Sequence, residues 1–257
     1  MFLLFDIGRT KFRLARSSDG ESLGEPEIIS TPATVEEGIE LMIKAVRNSD
    51  EVVRAVVIGA SRKVWGGAQI IELLKKELDV PVYAENDAAL AALGEARAGA
   101  GRGARVVGYL TVSSGVGGAR IVNGKIDTSA TGFEPGEQIL SVDQDGITQT
   151  LEELVSGLAV EAKFGKKPFA INDAEYWCTT ARWLARGLHN SIIHWSPDVF
   201  VLGGSMFKSP GIDLKIVEKE LALIPTVLPL RPPLRLALLG ETSALQGGLF
   251  YLRTCGL

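Results

Sequence analysis

The chain has 257 residues, a length that suits two lobes of ordinary size better than one compact domain. With 46% apolar and 23% charged residues it can bury a sizeable core, so folding needs neither a disulfide framework nor a metal. A net charge of −4 argues against nucleic acid as a partner, and the two dispersed cysteines, Cys178 and Cys255, fit free thiols in a reducing compartment rather than a Cys-rich zinc site.

The first residues enter a short apolar strand at once, residues 2–5, with no basic region before it. Neither a signal peptide nor a membrane span is read, and a cytoplasmic location is expected. The strand runs into Asp6-Ile7-Gly8, and a second strand over 11–16 alternates Phe12 and Leu14 with Lys11 and Arg13. Thr34 then caps a helix with Glu36 and Glu37 in its first turn and Ile39, Met42, Ile43 and Val46 on its apolar face. An apolar run at 53–58, interrupted only by Arg54 and closed by Gly59, predicts a strand buried on both faces, as in a parallel sheet. A helix over 68–78 and a strand over 80–83 follow, and Asp87 stands where that strand hands over to a small-residue helix at 88–96.

The glycines of 99–103 mark the best lobe boundary. After it the pattern restarts with a strand at 106–112, a glycine-rich turn at 113–118 and a strand at 119–122; Asn123-Gly124 is a hairpin signal. Helices are predicted over 148–164 and 174–195, then a buried strand at 199–202 ending in Gly203-Gly204. A helix at 214–223, a strand at 234–239 and a helix at 244–252 close the chain. Each half thus opens with strand, glycine turn, strand, which predicts two similar α/β lobes facing one another across a cleft. We place the first lobe at residues 1–103, with the C-terminal helix 243–257 returning to it, and the second at 104–242.

Glycine-rich turns between strands let backbone N–H groups converge on an anion. Asp6, Gly8, Thr10 and Lys11 combine such a turn with a carboxylate, a hydroxyl and an ammonium, a set suited to a phosphate tail and to Mg²⁺ held through water; an ordinary hairpin with a charged tip reads the same way. Ser113, Ser114, Gly115 and Gly117 form the second such turn. Asn86 and Asp87 end a buried strand, where α/β proteins place their ligand crevice. Asp87 there suits a general base toward a hydroxyl, or the N-cap of the following helix. Glu137 and Glu152 are candidate acceptors for sugar hydroxyls, or plain surface charges. His189 and His194, five positions apart on one helix, do not share a face as a metal pair would. Gly203 and Gly204 suit a flat ligand lying against bare backbone, or a tight turn.

Taken in order, these pieces resemble the ROK family of sugar kinases and sugar-responsive repressors, within the actin/hexokinase/Hsp70 superfamily. The resemblance rests on Glu85-Asn86-Asp87-Ala88, Leu93-Gly94-Glu95-Ala96, the glycines of 99–103, Gly115-Val116-Gly117-Gly118 and Val201-Leu202-Gly203-Gly204. It implies two actin-like, ribonuclease H-like lobes, ATP and Mg²⁺ as cofactors, a hexose or amino sugar as substrate and a homodimer. By the same resemblance Asp87 is the catalytic base, Asn86, Glu137 and Glu152 contact sugar, Asp6 to Lys11 and Ser113 to Gly117 hold the phosphates, and Gly203 and Gly204 hold adenosine.

Three departures accompany it. Arg9 stands where the family's first motif has a second glycine. Leu140 replaces a histidine that contacts sugar and binds zinc, and the cysteine-rich zinc loop is missing, so no zinc is expected. The sugar loop after Gly59-Ala60 is reduced to residues 61–67. These departures leave open a catalytically weak, ligand-binding regulatory protein as the alternative to a kinase. No helix-turn-helix segment is read, which points away from the DNA-binding repressors.

Overall fold

The computed structural model describes residues 1–61, 68–129 and 132–256. The chain divides into two compact units, Met1–Ala98 with Glu241–Leu257, and Gly99–Gly240.

In the first unit, strands β1 (Phe2–Ile7), β2 (Lys11–Ser17), β3 (Glu27–Ser30), β4 (Ala55–Ala60) and β5 (Val82–Glu85) form a sheet in the order β3-β2-β1-β4-β5. β2 and β3 are antiparallel additions, while β1, β4 and β5 run parallel. β1 is buried throughout because helices cover both of its faces, and strand alternation sorts its side chains between them. Leu3, Phe5 and Ile7 join a core with Met42 of α1 (Val35–Arg47) and Ile70 and Leu74 of α2 (Ala68–Glu77). Leu4 and Val57 lie against Gly248 of the C-terminal helix, Ser243–Thr254, on the opposite face. Asp6 follows Leu4 in that alternation and so shares its face. Thr34 caps α1 as expected, accepting from the Glu37 N–H at 3.2 Å.

The helix α3 (Asp87–Ala98) crosses the C-terminal helix at glycines. A Cβ on Gly94 would collide with the Ser243 carbonyl, and one on Gly247 with the Leu90 carbonyl. Beside this crossing the fully buried Glu95 accepts a 3.0 Å hydrogen bond from Ser243 Oγ. The position of α3, and of its first residue Asp87, therefore depends on the missing side chains of Gly94 and Gly247.

In the second unit, β6 (Val106–Val112) and β7 (Val116–Val122) are antiparallel, β8 (Lys125–Ile126) extends the edge, and β11 (Val199–Gly203) and β12 (Leu234–Leu236) run parallel to β6. The order is β12-β11-β6-β7-β8. Leu110, Val112, Phe200 and Leu202 form the core with α4 (Leu151–Val155), α6 (Ala174–Trp195) and α7 (Leu214–Leu223).

The single helix predicted over 148–164 is three elements. Residues 148–150 form β10 (Thr148–Thr150), which pairs antiparallel with β9 (Ile139–Val142). α4 then stops at Ser156, which turns extended (φ −77°, ψ 163°) and caps α5 (Gly157–Phe164) by accepting from the Ala159 N–H at 3.1 Å. The apolar periodicity across 151–164 conceals this break, because Ser156 is itself buried. Among the described residues no helix is long and apolar enough to cross a membrane.

Candidate functional site

In the first unit the candidate residues gather at the C-terminal ends of the parallel strands. The β1–β2 register pairs Ile7 with Phe12 and Asp6 with Arg13, leaving Gly8 to Lys11 as the turn. The Gly8 N–H closes this turn on the Lys11 carbonyl at 3.0 Å. Thr31 steadies it, donating from Oγ1 to the Gly8 carbonyl at 2.7 Å and from its N–H to the Thr10 carbonyl at 3.3 Å. Gly8 therefore spends its amide inside the hairpin, and Arg9, Thr10 and Lys11 form the exposed tip.

Asp6 is buried and accepts from Arg13 Nη1 at 2.7 Å. Burial pushes its carboxyl up to about 7; the Arg13 guanidinium opposes that shift, while the negative charges of Asp87 and then Glu241 add to it. Asp87 is thus close enough for its charge to be felt at Asp6. The register explains how: Asp6 lies beside Gly59 of β4, and a Cβ on Gly59 would come 3.5 Å from the Asp87 Cα. Glu241 grips Lys11 Nζ with both carboxylate oxygens at 2.7 Å, and its Oε2 lies 3.7 Å from Arg13 Nη2.

Asn86, not Asp87, caps α3. Its Oδ1 accepts from the Ala89 N–H at 3.0 Å, and its own N–H donates to Glu85 Oε1 at 2.7 Å. Asp87 is instead the first helical residue and half-buried, which replaces the capping role considered for it from sequence.

In the second unit two glycine segments end adjacent parallel strands. At the first, the Ser113 N–H donates to the Gly115 carbonyl at 2.9 Å, while the carbonyls of Ser113 and Ser114 accept from the N–H groups of Gly157 and Leu158 at 2.7 and 3.2 Å. Glu152 Oε2 accepts from the Val116 N–H at 2.7 Å and would lie 2.7 Å from a Cβ on Gly115. The start of α5 and the Glu152 carboxylate thus brace the turn, and Gly117 continues into β7 opposite Thr111. Glu137 ends the 3₁₀ turn Pro135–Glu137 and is exposed. Gly203 and Gly204 lie against β6: a Cβ on Gly203 would sit 2.5 Å from the Tyr109 hydroxyl, and one on Gly204 (φ +101°) would collide with the Val112 carbonyl. Val112 immediately precedes Ser113, so the two glycine segments are neighbours at the C-terminal ends of these central strands.

The three departures have distinct fates. Arg9 is at the exposed tip of the hairpin. Leu140 lies on β9 and packs against the apolar core of its unit, a role an imidazole would fill poorly. The shortened segment 61–67 lies outside the described residues apart from Ser61. Among the described residues, no group of three or more His, Cys, Asp or Glu side chains is arranged to hold a metal ion.

A sequence model of the ROK family matches residues 3–254. The chain belongs to the ROK family. This ROK chain is 25% identical over 202 residues to a fructokinase of Lactococcus lactis subsp. cremoris, covering 73% of this chain and 69% of that protein. Against the first curated relatives the matches span from 51 to 69% of the relatives' own lengths. Its structure resembles the ROK hexokinase of Thermus thermophilus with a TM-score of 0.80 at 25% identity, covering 99% of both chains. It also resembles a ROK glucokinase of Streptomyces griseus, solved with glucose and AMPPNP, with a TM-score of 0.76 at 22% identity, covering 98% of this chain and 99% of that one. The actin-like α/β class expected from sequence is the class observed.

Arg13 and Glu241 escaped sequence reasoning. Arg13 was open to it, because a turn at Gly8 to Lys11 sets it opposite Asp6. Glu241, 230 positions from Lys11, carries no local signal.

Proposed function

We propose that this ROK protein is an ATP-dependent kinase of a hexose or amino sugar. The observation that carries the reading is Asp87. It heads α3 at the end of a parallel strand, beside a second carboxylate, and the helix-capping role belongs to its neighbour Asn86. A general base toward the attacking hydroxyl needs a carboxylate at such a place. The kinase names carried by its relatives support the same reading.

In this mechanism Asp87 accepts the proton of the attacking sugar hydroxyl. The hydroxyl oxygen bonds to the γ-phosphorus, the bond to the β,γ-bridging oxygen breaks, and ADP leaves. Asn86 has committed Oδ1 to the helix cap, so it meets a sugar through its NH₂ donors. Glu137 and Glu152 accept from sugar hydroxyls. Thr10, Lys11 and the 113–117 turn hold phosphate oxygens, and Gly203 and Gly204 face adenosine.

Mg²⁺ fits as an ion that arrives with the nucleotide. Asp6 offers a single carboxylate, buried and pushed up to about 7, to which a nearby dication would restore charge; the ion would be held through water and would neutralise phosphate charge. Zinc is not expected, because Leu140 offers no donor.

The test is ADP release over a panel of hexoses and amino sugars with MgATP. Turnover of one of them is the expected result. Sugar binding with no turnover on any of them would reject the kinase and leave a ligand-binding regulator.

A further inference from the structure

Lys11 and Arg13 alternate onto one face of β2, the face that carries Asp6 on β1. Both cations meet a carboxylate from far along the chain. Glu241, in the 3₁₀ turn Gly240–Thr242, holds Lys11 Nζ with two 2.7 Å contacts and approaches Arg13 Nη2 to 3.7 Å. Arg13 Nε is buried and makes no hydrogen bond. The Lys11–Glu241 pair is half-exposed, with side-chain exposures of 46% and 35%, so a solute can reach it.

A carboxylate and a terminal phosphate present the same edge of two oxygens to a cation. We infer that Glu241 is an internal substitute for the nucleotide's phosphate tail, occupying Lys11 and Arg13 and competing with phosphate for them. This rests on the kinase reading in one respect, the assignment of Lys11 as a phosphate contact.

Two effects of Glu241 oppose one another. It holds Lys11 in one rotamer, which favours an incoming anion by sparing side-chain entropy. It also sets a full negative charge where a polyanion must dock, and that repulsion scales with the several charges of the tail. The second effect dominates, so Glu241 weakens nucleotide binding and speeds release. Departure of the carboxylate, by rotation about its own side chain, is the step that admits the phosphates.

The experiment is calorimetric titration of the full chain with inorganic tripolyphosphate, then with MgATP. The proteins are wild type, Glu241→Gln, Lys11→Gln and the double variant. Glu241→Gln should bind tripolyphosphate about 3- to 10-fold more tightly, the range between a screened surface pair and a charge-assisted hydrogen bond. Lys11→Gln should bind more weakly, and the double variant should lose most of the gain. Should Glu241→Gln fold poorly, Glu241→Asp withdraws the carboxylate by one methylene and should tighten binding in the same direction. Equal or weaker binding by the folded variant overturns the inference, and so does the absence of tripolyphosphate binding in both wild type and variant. Sugar turnover separates the two ideas. The predicted binding pattern without turnover on any sugar removes the kinase and keeps the competition, whereas turnover with no gain in Glu241→Gln removes the competition alone.

Discussion

Asp87→Asn isolates the proposed chemistry from the fold. The amide keeps the shape of the side chain and removes one charge and one proton acceptor. The helix end should hold, because Asn86 supplies the cap. Nor should charge removal harm stability, since Asp87 is one of the groups that push the Asp6 carboxyl up. The melting temperature should therefore stay level or rise. Turnover should fall about 10²–10⁴-fold, the usual worth of a positioned general base, or about 3–5 kcal/mol of barrier. Sugar affinity should weaken by about tenfold, as expected for losing a hydrogen bond to a charged acceptor. MgATP affinity should change little, because the carboxylate acts on the acceptor. Coupled ADP release with the best sugar of the panel gives the first quantity, calorimetry the affinities and thermal denaturation the stability. Turnover within threefold of wild type in a folded Asp87→Asn protein would refute the base assignment.

The pH dependence follows from Asp6, whose carboxyl is raised from an ordinary 3.8 to about 7. A raised acid contributes stability that is full below its unfolded value and lost as pH rises through the folded one, so the melting temperature should fall between about pH 4 and pH 7, less steeply in Asp6→Asn. A cation brought with the nucleotide favours the ionised carboxylate, so MgATP affinity should weaken as pH drops below about 7, and Asp6→Asn should flatten that slope relative to wild type. At the crossing of α3 with the C-terminal helix, Gly247→Ala drives a methyl into the Leu90 carbonyl and should cost about 1–3 kcal/mol; an unchanged melting temperature would contradict the close crossing. We expect a homodimer, and light scattering should give twice the 27.5 kDa chain mass; the single mass would remove that expectation.

Most of the fold was legible because its core strands carry strong local signals. Arg54 apart, residues 53–58 are apolar, and such a run means burial on both faces; β4, Ala55–Ala60, lies between the parallel strands β1 and β5. The failures have different causes. β3 is exposed at all four positions, so no alternation marks it, and it exists because β2 offers an open edge. The 148–164 segment satisfied helical periodicity while Ser156 broke it, for a capping serine buried at a bend looks like a tolerated polar residue inside a helix.

The candidate site was legible as a set of residue types and much less as a set of roles. Asp6, Lys11 and Asp87 were visible as charges at strand ends, but their partners decide what they do. Arg13 neutralises part of Asp6, Glu241 holds Lys11, and Asn86 relieves Asp87 of capping. The glycines show why motif reading stops where it does. Gly203 and Gly204 meet a ligand in the family pattern, yet each is also required by this chain's own packing against Tyr109 and Val112. A glycine demanded by a neighbouring strand and one demanded by a ligand are identical in sequence. Only a measurement that loads the site tells them apart, and substitution at either position would damage the sheet before it reported on binding. Charged side chains escape this ambiguity. Replacing Glu241 or Asp87 by its amide leaves the backbone and volume in place, so the charge chemistry can be tested without rebuilding the scaffold.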